Sequence, residues 1–256
     1  MSIGIQYAGV GFRDVLHARW AFAFDLLAID WSYAIVAPAW LPRGLAPTFH
    51  LPSRRIYFRS EPGMDYSARR AWQDISDAFD ALCEQEFDDA EAIEDDGDRV
   101  DLIDPHLSIA GPPGSALLIC LDGIPDPSTF DEDGPHWRGD SESMLYLTPT
   151  GGQDCPYYWT QCASCGYVDA EFTGRAARLS CGHGIGDKDY RSGSPAILAA
   201  YGLARRAVAA KWPGARCLSC DLSVERGDLI VNVERNWQHA RCVHTSMATR
   251  ADLHDL

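Results

Sequence analysis

Six of the nine cysteines lie between residues 162 and 242, and they fall into two sets. The first is Cys162-x₂-Cys165 followed, after fifteen residues, by Cys181-Gly182-His183. The second is Cys217-x₂-Cys220 followed, after eighteen residues, by His239-x₂-Cys242. Thiolates and imidazoles are ligands of borderline-soft cations. A tetrahedral Zn²⁺ takes four of them, and small domains supply these as two close pairs on separate turns. A Cys-x₂-Cys turn presents two thiolates to one ion while the intervening backbone N–H groups hydrogen-bond to sulfur. Each set therefore predicts one zinc site, so two ions in all. Cys162, Cys165, Cys181 and His183 form the first; Cys217, Cys220, His239 and Cys242 form the second, with His244 as an alternative to His239. Four protein ligands leave no position open for water or substrate, so both ions are expected to be structural. Folding of such units is tied to metal, at about 10–16 kcal/mol of apparent binding energy.

The other three cysteines, Cys83, Cys120 and Cys155, are spare. Cys83 and Cys120 read as buried free thiols, and Cys155 is near enough to Cys162 in sequence to be a substitute ligand. Clustered Cys-x₂-Cys pairs in a chain of this length point to metal in a reducing cytoplasm rather than to disulfides. No apolar run is long enough to span a bilayer, and the N-terminus lacks the basic and apolar pattern of a signal peptide. The net charge of −15 opposes simple electrostatic attraction to nucleic acid. That charge is concentrated: between Glu84 and Asp104 eleven acids face one arginine, Arg99. Residues 162–256 are near neutral, with ten acids and twelve Lys/Arg. The acidic run reads as a solvated helix end and loop, and it lacks the spacing of a calcium-binding EF-hand.

The elements that must position these groups follow from periodicity. Residues 12–28 predict a helix with Phe12, Val15, Leu16, Trp20, Ala23, Phe24 and Leu27 on one apolar face. Trp31, Tyr33 and Ile35 predict a strand, Thr48–Leu51 a second and Arg55–Arg59 a third, each stopped by proline. A second helix is expected after Asp65, its cap, with Ala68, Trp72, Ile75, Phe79 and Leu82 as its stripe. The apolar run Ser115–Leu121 has the composition of a central strand covered on both faces. Met144–Thr148 predicts another strand. Ser194-Pro195 opens a helix running to about Lys211.

The order helix, three strands, helix, strand matches the common core of the restriction-endonuclease-like nucleases. The resemblance extends to sequence. Tyr7-Ala-Gly-Val-Gly-Phe-Arg13, Ala18-Arg-Trp-Ala-Phe22, Phe24-Asp25 and Ile29-Asp-Trp-Ser-Tyr33 are similar to a poorly characterised actinobacterial and actinophage family usually regarded as nuclease-like. So are Ile124-Pro-Asp-Pro127, Tyr158-Trp159, Glu171-Phe-x-Gly174-Arg-x-Ala-Arg178, Gly186-Asp-Lys-x-Tyr190 and Ser194-Pro-x-x-Leu-Ala-Ala-Tyr201. In that family the first zinc site ends in Cys-x-Cys; here its last ligand is His183. The second set resembles a treble clef of the LIM or PARP-finger kind, in which a knuckle and hairpin supply two ligands and a short helix the others. Trp237 would be its packed aromatic.

The resemblance also implies where nuclease chemistry would lie: carboxylates converging on Mg²⁺ from the first helix and from the second and third strands, with a lysine to position water. Those positions fall here at His17, at Pro47-Thr48 and at Arg59-Ser60-Glu61. The acids are missing and Arg59 stands where a cation would bind, which implies lost catalysis. A migrated site would draw on Asp14, Asp25, Glu61 or Asp65, of which Glu61 and Asp65 are nearest to the third strand. His17 and Arg59 could instead bind phosphate. Arg54, Arg55, Arg59, Arg69 and Arg70 are a candidate basic patch, and Arg205, Arg206, Lys211 and Arg216 are candidate nucleic-acid contacts.

The sequence thus predicts an α/β chain in three consecutive parts: a nuclease-like domain at 1–150, a zinc knuckle with a helix at 151–213, and a treble-clef unit at 214–256. The expected role is a cytoplasmic, non-catalytic DNA-binding or assembly factor, encoded by a phage or mobile element. The alternatives are a divalent-metal-dependent endonuclease with displaced acids and a protein–protein adaptor.

Overall fold

The computed structural model describes residues 4–41, 46–61, 116–120, 123–125, 127, 130–131, 134–135, 144–148, 151–153, 157–172, 181, 183 and 193–243. Within them the chain is mixed α/β, with several small sheets and few helices. The strands are β1 (Ile5–Tyr7), β2 (Val10–Phe12), β3 (Ser32–Tyr33), β4 (Phe49–Leu51), β5 (Ile56–Ser60), β6 (Ala116–Cys120), β7 (Phe130–Asp131), β8 (Gly134–Pro135), β9 (Met144–Thr148), β10 (Gly151–Gln153), β11 (Tyr157–Gln161), β12 (Val168–Phe172), β13 (Val208–Ala209), β14 (Leu229–Val233) and β15 (Asn236–His239). The helices are α1 (Val15–Leu26) and α2 (Pro195–Arg206), and residues 240–243 form a further helical turn. The expected helix after Asp65, the acidic run, Cys83 and Cys155 lie outside the described residues.

Two compact units divide the chain. One is Met1–Trp31, Ile124–His136 and Gly193–Leu256; the other is Ser32–Gly123 and Trp137–Ser192. This division cuts across the consecutive segments 1–150, 151–213 and 214–256, because each unit is assembled from stretches far apart in sequence.

In the first unit, β1 and β2 form a hairpin whose two turn residues, Ala8 and Gly9, have φ of 49° and 79°. Two positive φ values in a two-residue turn match the right-handed twist of the flanking strands. Asp14 then caps α1, its carboxylate accepting from the His17 backbone N–H at 3.0 Å. The expected single apolar face is too narrow a description of α1. Ala18, Trp20, Ala21, Phe22, Ala23 and Phe24 are all buried, so the helix is enclosed through its middle. Tyr7 covers Phe22 on one side, and Tyr201 of α2 meets the Trp20 ring edge-on on another. Asp25 is held by the Tyr7 hydroxyl at 2.6 Å and the Trp31 indole N–H at 2.7 Å. Burial, followed by the charge of Asp25 and its hydrogen bond, raises the Tyr7 pKa far above its ordinary value, so the phenol keeps its proton.

α2 ends at Arg206, short of the expected Lys211. Ala207 turns to φ −66° and ψ 136°, and β13 then pairs with β14. Sheet pairing satisfies the same N–H groups that a longer helix would have used. Arg19 donates to the freed Ala207 carbonyl at 2.7 Å.

The second unit is built on a six-stranded sheet of order β10-β9-β6-β5-β4-β3. β3, β4 and β5 form an antiparallel meander, β6 runs parallel to β5, and β9 returns antiparallel to β6. All five residues of β6 are buried, as expected of a central strand. β5 alternates instead, burying Ile56, Phe58 and Ser60. β3 stops at Tyr33, short of the expected Ile35, because Ala34 takes a left-handed backbone with φ of 55°.

A separate hairpin, β11–β12, carries the first cysteine pair. It is tied to the β4–β5 turn by Arg54, which is only 6 % exposed. Arg54 Nε donates to the Val168 carbonyl at 2.6 Å, Nη1 donates to Ser53 Oγ at 2.8 Å, and the guanidinium lies 3.7 Å from the centroid of the Tyr167 ring. Arg54 is therefore a buried fastener and not part of a surface basic patch. Arg54→Ala should lower the unfolding midpoint by the equivalent of about 2–4 kcal/mol, through the lost stacking and the unpaired Val168 carbonyl. Arg54→Lys should recover little, since an ammonium cannot stack flat while donating. Chemical denaturation followed by tryptophan fluorescence would measure both.

Candidate metal centres

The two Cys-x₂-Cys turns have the same backbone. In the first, Gly166 N–H donates to the Cys162 carbonyl at 2.9 Å and Cys162 N–H to the Tyr167 carbonyl at 2.8 Å. In the second, Asp221 N–H donates to the Cys217 carbonyl at 2.8 Å and Cys217 N–H to the Leu222 carbonyl at 3.0 Å. The residue after the second cysteine is left-handed in both, Gly166 at φ 73° and Asp221 at φ 55°. Glycine adopts this backbone without strain, and Asp is among the few other residues that tolerate it. The reversal turns both cysteine side chains of a pair toward one point.

Each turn is completed from elsewhere. Cys181 and His183 join Cys162 and Cys165; His239 and Cys242 join Cys217 and Cys220. Within each group the four ligand atoms all lie within 4.8 Å of one another. The ligands of a tetrahedral zinc site sit about 3.6–3.8 Å apart, given Zn–S near 2.3 Å and Zn–N near 2.0–2.1 Å. The separation of 3.4 Å between Cys220 Sγ and His239 Nδ1 fits that geometry closely. Both groups could thus hold a metal ion, and among the described residues no third such group occurs.

The second centre is the more enclosed. Cys217 and His239 are buried, and the His239 backbone N–H donates to Cys217 Sγ at 3.4 Å. β14 and β15 form the hairpin that delivers His239 at its last residue, and the helical turn at 240–243 supplies Cys242. The treble-clef resemblance implies that a short helix supplies both last ligands; here His239 ends β15 and only Cys242 lies in the helical turn. His239 is the histidine that joins the cluster; His244 lies outside the described residues. In the first centre Cys162 is buried, Cys181 partly so, and Cys165 and His183 are exposed.

The thiols show what these groups need. Burial raises Cys162, but the backbone N–H groups of Cys165 and Ser164, then the Cys165 and Cys181 thiols, bring it down to about 7. Cys181 is pushed up to about 11, by burial first and then by the Cys162 and Cys165 thiols. In the second centre burial again raises Cys217, but N–H groups of His239, Cys220 and Ser219 bring it to about 6. Cys242 is pushed up to about 12 by burial and by Cys220 and Cys217. One thiolate forms easily in each group and holds the last cysteine protonated. A cation at the centre would favour the thiolate form of such a group.

The other predicted residues are scattered. Arg59 Nε donates to Glu61 Oε1, so the two are an ion pair at the end of β5. Asp14 caps α1 and contacts His17 Nδ1 at 3.2 Å, while Asp25 serves Tyr7 and Trp31. Asp65, Arg69 and Arg70 lie outside the described residues. Arg205 Nη1 donates to the Ile124 carbonyl at 2.7 Å, and Arg206 Nε to the Gly202 carbonyl of its own helix at 3.1 Å. Arg216 pairs with Asp221 at 2.7 Å, and Lys211 is exposed. Cys120, buried as expected, donates to the Gly123 carbonyl at 2.9 Å.

Asp228 is absent from the residues the sequence singles out, and Arg54, expected in a surface basic patch, is buried instead. Neither lies in a motif, and their partners are remote in sequence or become neighbours only through a hairpin. Comparison of the chain with protein-family models, with curated proteins and with solved structures returns no match.

A Cβ at Gly166 would meet only the flexible Gln161 amide, at 3.7 Å, so its substitution tests backbone strain alone. Gly166→Ala is expected to destabilise the first centre by about 1–2 kcal/mol, while Asp221→Gly leaves the second centre's metal affinity within about threefold. Competition titration of each variant against a zinc chelator would measure both.

Proposed function

We propose that each group holds one structural zinc ion and that the chain is a non-catalytic protein acting through binding. The observation that carries this reading is the pair of matching knuckles, each completed to four cysteine and histidine ligands. Three thiolates and one imidazole suit a borderline-soft, tetrahedral ion, and a full protein ligand set leaves no place for a reacting group. In the second centre the metal would join the knuckle to the end of the hairpin and the following helical turn.

The nuclease-like reading of the sheet draws support from its topology. An antiparallel meander followed by a strand parallel to the third, after an intervening stretch long enough for a helix, has the connectivity expected from the resemblance. Catalysis lacks comparable support. Glu61 is neutralised by Arg59, and Asp14 and Asp25 already serve as a cap and a hydrogen-bond acceptor. No acidic cluster able to hold Mg²⁺ occurs among the described residues.

For the partner, the second zinc segment favours a protein over DNA. Trp212, Leu218, Leu222 and Trp237 are 83 %, 65 %, 55 % and 42 % exposed, and Leu218 sits inside the knuckle itself. Charges around them are nearly balanced, and the chain as a whole carries −15, which would repel a polyanion. Exposed aromatic and leucine side chains suit the apolar centre of a protein interface. This makes an assembly role the better reading of the two considered from sequence.

Metal analysis of reduced protein should give two zinc ions per chain, and Cys162→Ser and Cys217→Ser should each lose one. Mg²⁺ or Mn²⁺ should elicit no cleavage of any DNA form, and Glu61→Gln should change nothing in that assay. DNA should not be retained at low salt. Retention that falls with salt and with Arg205→Ala or Arg216→Ala would restore the DNA-binding reading, and metal-dependent cleavage would restore the endonuclease.

A further inference from the structure

We infer that Asp228 is the positioning residue of the second centre: its carboxylate fixes the His239 ring so that Nδ1, and not Nε2, faces the metal. The inference rests on the zinc reading above and deepens it for one ligand. A histidine has two ring nitrogens that can bind metal, and the hydrogen bond made by one decides which of them does. Here Nδ1 points into the thiol cluster, 3.4 Å from Cys220 Sγ. The opposite nitrogen, Nε2, lies 3.3 Å from Asp228 Oδ2. The histidine side chain is 5 % exposed, so water has little access to replace that contact, whereas the Asp228 side chain is 25 % exposed.

Asp228 is itself held from several directions. Its Oδ2 accepts from the Glu225 backbone N–H at 2.8 Å, and its own N–H donates to the Glu225 carbonyl at 3.1 Å. Its carbonyl accepts from Ala210 N–H at 2.8 Å. The next residue begins β14, and Gly227 before it accepts from Gln6 N–H at 2.9 Å, which brings the N-terminal hairpin against the same turn. The carboxylate is therefore presented on a backbone held by its own hydrogen bonds. A carboxylate in this place does three things. It selects the tautomer with the proton on Nε2 and the lone pair on Nδ1, it orients the ring, and it makes the imidazole a stronger donor. The Glu225 N–H and His239 Nε2 converge on the same oxygen, so the turn that Asp228 closes also aims its carboxylate at the one buried histidine of the cluster.

The test uses the full chain loaded with zinc, comparing wild type, Asp228→Asn and Asp228→Ala. Zinc affinity is measured by chelator competition, and the His239 ring by ¹⁵N NMR. Wild type should show Nδ1 as the metal-bound nitrogen and a slowly exchanging proton on Nε2. Asp228→Ala should weaken the second ion by about 10–100-fold, with rapid exchange of the Nε2 proton, while the ion at Cys162, Cys165, Cys181 and His183 keeps its wild-type affinity. Asp228→Asn, which preserves the turn and an acceptor oxygen, should fall between. The unchanged first ion and an unchanged circular dichroism spectrum separate this outcome from general unfolding. Coordination through Nε2 in wild type, or Asp228→Ala within twofold of wild type at the second ion, would overturn the inference and leave the zinc reading standing. Failure of wild type to bind a second zinc at all would overturn the zinc reading itself.

Discussion

Mutual repulsion among thiolates is the constraint on which both cysteine clusters depend. Thiols brought within a few ångströms of one another resist ionising together, and the opposed behaviour of Cys217 and Cys242 expresses that conflict. Backbone N–H groups favour the thiolate at Cys162 and at Cys217, while burial and the neighbouring thiols oppose it at Cys181 and Cys242. A cation would relieve that conflict, and folding around each cluster would then be coupled to metal binding. The knuckle is the smallest backbone device that sets up this condition. One left-handed residue after the second cysteine closes a turn in which two sulfurs converge, and the same pair of backbone hydrogen bonds recurs in both copies.

What surrounds the clusters differs, and the differences follow from what each knuckle is attached to. The first sits at the tip of β11–β12, and a buried arginine stacked on Tyr167 and bonded to the Val168 carbonyl fastens that same end of the hairpin. Two of its four ligands, Cys165 and His183, are exposed. The second sits beside a three-stranded sheet. Its histidine is the last residue of β15, its outer nitrogen meets Asp228, and the turn holding Asp228 also receives Gln6 from β1. The second site is therefore integrated into the core of its unit, where α1 and α2 bury Trp20 and Tyr201 against each other.

The acids considered for a displaced catalytic site are, where the structure describes them, already committed to structure. Asp14 offsets the unpaired N–H groups at the start of α1, Asp25 closes a small network with Tyr7 and Trp31, and Glu61 balances Arg59. A carboxylate satisfied by neutral donors or a guanidinium has its charge spoken for, and a divalent cation would have to displace those partners. The segment that carries the second cluster also leaves large apolar side chains exposed, Trp212, Leu218, Leu222 and Trp237 among them.

The sequence alone determined the ligand sets, because ligand type and short spacing are local properties: Cys162-x₂-Cys165 and Cys217-x₂-Cys220 must converge wherever the turn occurs. It also determined the central strand at Ala116–Cys120, the Ser194 cap and Pro195 start of α2, and the strand at Met144–Thr148, since composition and capping act within a few residues. Tertiary structure decided the rest, where the outcome hangs on partners distant in the chain. It enclosed α1 on more than the one expected face, ended α2 at Arg206 in favour of pairing with β14, and stopped β3 at a left-handed Ala34. It turned Arg54 from a surface charge into a buried fastener by bringing Tyr167 and Val168 to it. It also set Asp228 behind His239, a pairing that the β14–β15 hairpin creates. Local spacing can name the atoms that bind a metal; only long-range packing decides how those atoms are aimed.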